Sequence, residues 1–435
     1  MKYFANIVLG ISLASSIHVG AQTPGATAPA QSLTLAQAEQ TALRNNPRIA
    51  VSRLLALAQG QVVREERAAE LPTLEGNLTA VDSHAGSRIT AGALNNPIVY
   101  ERAAGGATVT QLITDFGRTH NLVGSADLRA KAELSVQVAT SDEVILAVDQ
   151  AFYRALGTQA VLKVAQQTVS ARQATSDQVN ALTAAKLKST LDLSFANVNL
   201  SEAKLLLLDA QNANEDAMTT LNALLGEERR MVYALIDETP TAPAPPPDDA
   251  EPLVGLAFQA RPDLIALNQD FASTKKFSSA EHDLQKPTIE ALGTAGGTPV
   301  RSDQITTSWY GAAGVNVTVP IFNGFLYSAR AKEADLRASA AGQRVRELRE
   351  NIARDVRATV LRAQSNFQRI AVTQELLDQA NSAFDLAQTR YKFGLSSIVE
   401  LSQAQLAQTE AQIDYATARY SYQGSLSTLR FQTGQ

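Results

Sequence analysis

Cysteine is absent from this chain of 435 residues, and histidine is scarce. The absence of cysteine excludes disulfides, thiol catalysis and a lipidated N-terminal cysteine. The sequence also contains neither a phosphate-binding glycine loop nor a nucleophile elbow. Metal-ligand spacing is missing among the four histidines, which are His18, His84, His120 and His282. We therefore predict a protein that is not an enzyme and that has no cofactor and no metal site.

A strong charge of either sign is lacking as well. The net charge is -5 at pH 7, and basic residues are scattered among acidic ones rather than gathered in a stripe. This distribution argues against nucleic acid as a partner. Beyond the N-terminus, no segment approaches the roughly 18 consecutive apolar residues of a membrane-spanning helix. We expect the mature chain to have no helical membrane anchor.

The N-terminus has the pattern of a secretory signal peptide. Lys2 precedes an apolar run over residues 4–17, and small residues up to Ala21 precede the polar Gln22. The apolar run is too short, and too interrupted by polar residues, to span a bilayer as a helix. We predict that residues 1–21 are a signal peptide cleaved after Ala21 and that the mature protein is exported.

The chain contains an internal duplication, in which residues 32–226 are repeated by residues 250–434. The motif Pro72-Thr73-Leu74-Glu75 returns as Pro287-Thr288-Ile289-Glu290. A duplication of this length means that one structural unit is used twice, and it favours a function that comes from assembling copies over one unique pocket. We predict that two structural repeats, each with a helix, two strands and a long helical hairpin, occupy residues 22–236 and 253–435, with a proline-rich linker over 237–252.

Each repeat is predicted to contain one very long helix. Residues 327–392 contain no proline, and side chains recur there every seven residues at Ile370, Leu377, Phe384 and Tyr391. The interleaved series is Phe367, Gln374, Asn381 and Gln388, and such a pair of series is typical of a coiled-coil seam. At about 1.5 Å per residue this helix would be roughly 100 Å long. Further helices are predicted over 118–185, 35–69, 191–225 and 398–431.

Between the helices the periodicity changes to strict alternation. Leu74, Gly76, Leu78 and Ala80 alternate with polar residues, and residues 107–113, 288–295 and 313–321 show related patterns. Strands of about 9 to 11 residues cross a bilayer when tilted, and a barrel needs one lipid face and one water face. The Gly296-Gly297 pair is interpreted as a turn, within a loop over 296–308. We place Tyr100, Trp309 and Tyr310 in an aromatic girdle.

Four strands per chain cannot close a water-filled barrel, and open strand edges are not tolerated in lipid. Three chains would supply twelve strands, an even number within the range of outer-membrane barrels. The alternative interpretation is a periplasmic coiled-coil scaffold, in which the strands form soluble hairpins packed on one face. An enzyme is the remote third possibility.

With these features in place, the chain resembles the outer-membrane efflux protein family, the TolC-like channel-tunnels of Gram-negative bacteria. The motifs that carry the resemblance are Asn45-Asn46-Pro47, Asp115-Phe116-Gly117-Arg118, Val319-Pro320-Ile321-Phe322-Asn323-Gly324, and Arg390-Tyr391 with Gly394-Leu395. The resemblance implies a homotrimer with a shared twelve-stranded barrel in the outer membrane and a twelve-helix α-helical tunnel that crosses the periplasm. It also implies an exit channel that works with a periplasmic adaptor protein and an inner-membrane transporter, in efflux or type I secretion.

The resemblance also implies roles for the tips of the two helical hairpins. Adaptor docking would involve Phe393, Gly394 and Leu395 at the second tip and Lys186 and Leu187 at the first, where a lysine replaces the usual glycine. The constriction of the channel would involve Asp192, Tyr391 and Glu400. Two departures from the family pattern are Ser396, in place of a gate arginine, and Gln403, in place of a second acid. Glu75 and Glu290 are candidates for the lumen of the barrel.

Overall fold

The computed structural model describes residues 31–84, 86–88, 98–227, 231–239 and 243–435. The predicted signal peptide, residues 1–21, lies outside the described residues. Long helices and one four-stranded sheet make up most of the described chain, so the predicted fold class is confirmed. The elements in chain order are β1 (Gln31–Leu33), α1 (Leu35–Asn45), α2 (Pro47–Ala68), β2 (Thr73–Val81), β3 (Arg102–Thr114), α3 (Arg118–Ala184), α4 (Thr190–Leu224), β4 (Tyr233–Leu235), α5 (Glu251–Ala260), α6 (Pro262–Asp283), β5 (Thr288–Arg301), β6 (Trp309–Thr318), α7 (Leu326–Lys392) and α8 (Ile398–Thr433).

The first helix of each repeat is broken near its start, which the sequence analysis did not predict. The single helix expected over 35–69 is divided into α1 and α2 by Asn46, whose backbone is extended (φ -68°, ψ 121°). Pro47 disfavours a helical conformation at the residue before it and is itself well placed at a helix start. The Asn46 side chain accepts a hydrogen bond from the Arg48 amide at 3.0 Å and so caps α2. Arg261 and Pro262 make the same break between α5 and α6.

The helices form a layer organised around α3 and α7, which have 67 residues each. In the half nearest the sheet, α3 packs between α2 and α6, and α6 packs on α7. In the other half, α3 packs between α4 and α8, and α8 packs on α7. The order in this second half is therefore α4–α3–α8–α7, which leaves α4 and α7 at the two edges. Within the described residues, no helix is long and apolar enough to cross a membrane.

The buried seam of α7 differs from both predicted series over most of their length. Tyr391 is buried, but Ile370, Leu377 and Phe384 are only half-buried. The residues of the predicted interleaved series are only half-buried. The fully buried second series lies one position earlier, at Thr373, Ala380 and Ala387. These small side chains allow neighbouring helices to approach closely, and for this reason a search for large apolar residues misses them.

A group of short elements packs on one side of the middle of the helical layer, and we call it the central belt. It consists of β1, α1, β4, α5 and the described linker residues 236–239 and 243–250. β1 and β4 pair in parallel, and a buried core forms where α1 meets α3. Linker residues are hydrogen-bonded to the helical layer. The Tyr422 hydroxyl donates to the carbonyl of Ala244 at 2.5 Å, and the side-chain amide of Gln364 donates to the carbonyl of Pro247 at 2.9 Å.

The sheet joins the hairpins of both repeats in the order β2-β3-β5-β6, and every pairing is antiparallel. β3 and β5 have 13 and 14 residues and are longer than predicted. The interpretation of Gly296-Gly297 as a turn was wrong, because both glycines lie inside β5 opposite Gly106 and Gly105. The loop between β5 and β6 is correspondingly shorter than the predicted 296–308. Glycine in a sequence can mark either a turn or a position inside a strand where another group approaches the backbone closely. These two glycines are of the second kind.

The glycines of the sheet make room for an aromatic ring. A Cβ on Gly106 would lie 2.3 Å from the Tyr310 hydroxyl oxygen, and one on Gly296 would lie 2.5 Å from the same atom. Tyr310 therefore lies across the polar face of the sheet, and its predicted place in a lipid-facing girdle was wrong. The neighbouring Trp309 projects from the opposite face, because alternate residues of a strand point to opposite sides, and its side chain is exposed.

The two faces of the sheet differ in chemistry. Cross-strand partners share a face, so Leu74, Val109, Gly293 and Ala313 form one row of the first face. The adjacent row on the other face contains Glu75, Thr108, Thr294 and Ala312. In the rows from Leu74 to Leu78, every residue on the first face is apolar or small. Several of these side chains are highly exposed in the single chain. The sheet is thus apolar on one side and polar on the other.

Candidate functional site at the hairpin tips

The two helical hairpins turn through the same backbone geometry. Lys186 and Gly394 both adopt positive φ, 61° and 72°. The Leu187 amide donates to the carbonyl of Leu182 at 2.8 Å, and the Leu395 amide donates to that of Arg390 at 2.8 Å. Both turns thus close by a six-residue helix-ending hydrogen bond. The lysine does not change the shape of the first turn, although a residue with a Cβ is strained in this conformation.

The tips expose apolar side chains. Leu187, Phe393 and Leu395 are 71%, 76% and 69% exposed. Each tip therefore offers one or two large apolar groups to a partner, and the first tip adds the exposed ammonium of Lys186. Exposed apolar groups at the end of a rigid hairpin are typical of a protein contact.

Tyr391 is buried beside the tips, within a small apolar cluster. Its neighbours include Val179 and Ala196 of the first hairpin and Ile398 of the second, so the ring fills the seam between the hairpins. Its hydroxyl group has no hydrogen-bond partner among the described residues. Burial, and then the nearby Asp192 carboxylate, raise the pKa of Tyr391, which therefore stays neutral at physiological pH.

Asp192 takes part in a capping box at the start of α4. Its carboxylate accepts hydrogen bonds from the Ser189 amide at 3.1 Å and the Ser189 hydroxyl at 3.0 Å. The Asp192 amide donates in turn to the Ser189 hydroxyl oxygen at 3.1 Å. The carboxylate thus caps the helix in addition to placing a negative charge beside the tip.

Glu400 lies in the first turn of α8, where it forms an ion pair that the sequence analysis did not predict. The Arg390 guanidinium approaches the Glu400 carboxylate at 3.3 Å, and both side chains are about half exposed, at 47% and 45%. The same arginine donates to the carbonyl of Leu395 at 3.4 Å. Arg390 therefore bridges the last turn of α7, the tip and the first turn of α8. Its positive charge partly offsets the negative potential around Glu400.

Lys188 is the second residue that the sequence analysis missed. Its ammonium lies 4.4 Å from the centre of the Tyr391 ring, a cation–π contact between the two hairpins. The hydroxyl of Ser396, in the position of the family's gate arginine, has no hydrogen-bond partner among the described residues, and Gln403 is exposed. Lys188 and Arg390 both lie within four positions of a tip residue. Their position near the tips and the predicted acids was the only feature of the sequence that could have identified them.

Polar contacts continue between the hairpins above the tips. The Arg172 guanidinium on α3 is buried and donates to the Gln405 side chain on α8. Burial lowers the pKa of this arginine. Asn199 donates to the Ser402 hydroxyl at 2.6 Å. Within one chain, the two hairpins are therefore joined by side chains that can exchange partners with water if the hairpins separate.

Glu75 and Glu290 lie far from the tips, on the polar face of the sheet. Glu75 is opposite Thr108, and Glu290 is opposite Asn316. The structure therefore places the predicted site residues in two groups, one at the tips and one in the sheet. Among the described residues, no cluster of His, Asp and Glu side chains is suited to hold a metal ion.

A two-faced sheet continuous with a long helical layer defines the class of TolC-like channel-tunnels. The chain belongs to the outer membrane efflux protein family, whose model matches residues 38–227 and 253–435. It is 22% identical to outer membrane protein TolC of Escherichia coli over 97% of this chain and 84% of that protein. It is 23% identical to the TolC protein of Vibrio cholerae over 70% of this chain and 71% of that protein.

Solved structures have the same fold. The chain superposes on CusC with a TM-score of 0.80 at 17% identity, over 95% of this chain and 98% of that one. The outer membrane protein VceC from Vibrio cholerae gives a TM-score of 0.78 at 17% identity, over 92% and 96%. The open state of the MtrE channel from Neisseria gonorrhoeae gives 0.76 at 19% identity, over 92% and 88%. CusC forms a transmembrane channel, and MtrE is an outer membrane channel.

Proposed function

We propose that three copies of this chain form a passive exit duct through the outer membrane, and that the duct serves a tripartite efflux or type I secretion system. A periplasmic adaptor would dock on the hairpin tips, and an inner-membrane transporter would supply energy and cargo. The duct itself performs no chemistry. The family membership supports the outer-membrane and efflux parts of this proposal.

The observation that carries the proposal is the sheet. Its edge strands β2 and β6 have no partner on their outer sides among the described residues, and one of its faces is apolar. In lipid, unpaired strand edges cost several kcal/mol per backbone group, so the sheet must close with other copies. Three chains of four strands give twelve strands, with the apolar face toward lipid and Glu75 and Glu290 toward water.

The tips would form the constriction at the periplasmic end. Around a threefold axis, three Glu400 carboxylates and three Asp192 carboxylates would come together and favour cations. Glu400 is paired with Arg390 in the single chain, and this pair would weaken the preference. Opening would separate the hairpins as rigid bodies and break the contact of Lys188 with Tyr391.

The experiment is ion selectivity in planar bilayers under a salt gradient. Glu400→Gln should lower the ratio of cation to anion permeability by about twofold or more, because the ring of carboxylates is lost while Arg390 remains. Arg390→Gln should raise the same ratio, because the carboxylate is then unpaired. Glu410→Gln, which removes an exposed carboxylate of α8 ten positions from Glu400, is the matched control.

Unchanged selectivity in Glu400→Gln and Arg390→Gln would remove both residues from the constriction. The rival scaffold is distinguished by extraction. A duct should stay with outer membranes after salt washing and run as a trimer in detergent. A monomer that is soluble without detergent would end the proposal.

A further inference from the structure

A groove of about 450 Å³ crosses α8 between α3 and α7. Small side chains form its floor on α8, among them Ser421, Gly424 and Ser425, while Tyr153 and Arg154 of α3 and Arg362 of α7 form its walls. A volume of this size is in the range of small-molecule sites. The groove exists because α8 carries glycine, serine and threonine at successive turns of one face.

The groove opens on the side of the helical layer that faces away from the central belt. Arg357 of α7 binds Glu251 of α5 at 2.7 Å, and Gln364 binds the linker. Arg362 precedes Gln364 by two positions, which places it about 160° around the helix. On α8, Tyr422 likewise points to the linker, whereas Ser421 and Gly424 line the groove.

In the proposed duct, the side away from the central belt is the inner side, because elements packed inside would block passage. This step rests on the proposed function. α8 lies in the middle of the order α4–α3–α8–α7, so copies that join at the edges do not cover it. The groove would therefore remain open to the lumen after assembly.

The chemistry of the groove favours an organic anion. Arg154 is paired with Asp216 at 3.1 Å, but no described carboxylate forms an ion pair with Arg362. The Tyr420 hydroxyl is engaged with Asp237 at 2.8 Å, which leaves its ring for apolar contact. One free guanidinium beside tyrosine rings and hydroxyl groups suits a flat apolar body with a carboxylate. We propose that the groove binds small aromatic carboxylates during their passage through the duct.

The test is block of single-channel current by 2-naphthoate in planar bilayers. Arg362→Gln should weaken the block about tenfold, the effect of removing one charged hydrogen bond. Arg369→Gln is the matched control, because it removes an exposed arginine from the same face of α7, two turns away and outside the groove. 2-Naphthoate should block the Arg369→Gln channel as strongly as it blocks the unaltered channel. Neutral 2-naphthamide should block the Arg362→Gln and Arg369→Gln channels equally weakly.

A second variant tests the cavity rather than the charge. A Cβ on Gly424 would meet no atom within 4 Å, so Gly424→Phe should place its ring in the groove and weaken the block by a similar factor. Equal block in Arg362→Gln and the unaltered channel, or equal weakening in Arg369→Gln, would overturn the groove site. No current from the unaltered protein would instead overturn the proposed duct.

Discussion

At the residue scale, two carboxyl groups meet where α1 of the central belt packs on α3. Asp149 of α3 is 5% exposed, and Glu39 of α1 lies against it. Burial, and then the Asp149 carboxylate, raise the pKa of Glu39 to about 7. Burial also raises the pKa of Asp149, which accepts hydrogen bonds from Ser427 and Glu39. Protonation of Glu39 below about pH 7 therefore removes the repulsion between the two carboxyl groups and favours the packing of α1 on α3.

This pair predicts a pH dependence of stability. The folded-state pKa of Glu39 lies above its ordinary value of 4.5, so the folded protein binds the extra proton between pH 4.5 and about 7. The stabilisation is complete below pH 4.5 and is lost as pH rises through about 7. Hydrogen exchange of α1 amides should show greater protection at pH 5.5 than at pH 8, after correction for intrinsic rates. Glu39→Gln should abolish the difference, because the amide stays neutral and still donates to Asp149; an unchanged difference would contradict the assignment.

At the element scale, the two hairpin turns offer a matched pair of substitutions. Lys186→Gly should stabilise the first turn by about 1 kcal/mol, because glycine adopts positive φ without the Cβ clash. Gly394→Ala should destabilise the second turn by a similar amount. The measurement is hydrogen exchange at the Leu187 and Leu395 amides, which close the turns. Lys186→Ala is the control, because it removes the charge but keeps the Cβ; a gain in that variant would show that charge, not backbone strain, limits the turn.

The sequence predicted the long elements better than the short ones. The bounds of α3, α4, α7 and α8 were predicted to within about two residues, because proline-free periodic segments end at recognisable turns. The break at Asn46 was missed although Pro47 was visible, since a proline signals either a helix start or a kink. Within β5, glycine was taken for a turn because the ring of Tyr310, which needs the space, comes from another strand. Contacts of this kind depend on pairing register, which one strand does not encode.

At the candidate site, too, residues were predicted from the sequence but their contacts with other elements were not. Tyr391, Asp192 and Glu400 were identified through family resemblance and position. Their partners Lys188 and Arg390 were not, because each contact crosses a turn or joins separate hairpins. Such contacts depend on how helices are rotated against each other, and a heptad pattern fixes that rotation only within one pair.

At the scale of the whole molecule, the two edges of the helical layer are apolar in the single chain. On α4, Leu191, Val198 and Leu205 lie on one exposed stripe, and Leu361, Val372 and Leu386 lie on another along α7. Soluble monomers rarely leave two such stripes uncovered. A contact between α4 of one copy and α7 of the next is heterologous. Copies joined in this way leave no edge uncovered only if they form a closed ring.

We therefore expect Leu361→Glu to prevent assembly of the proposed trimer, because a carboxylate buried at the edge without a partner costs several kcal/mol in each of three contacts. Leu205→Glu should act in the same way from the α4 side. Native mass spectrometry in detergent would count the copies. Leu187→Glu is the matched control, since Leu187 is 71% exposed and Leu361 65%, but only Leu361 lies on an edge stripe. If Leu361→Glu gave trimers as resistant to heat as the unaltered protein, the edges of the layer would not be where the copies meet.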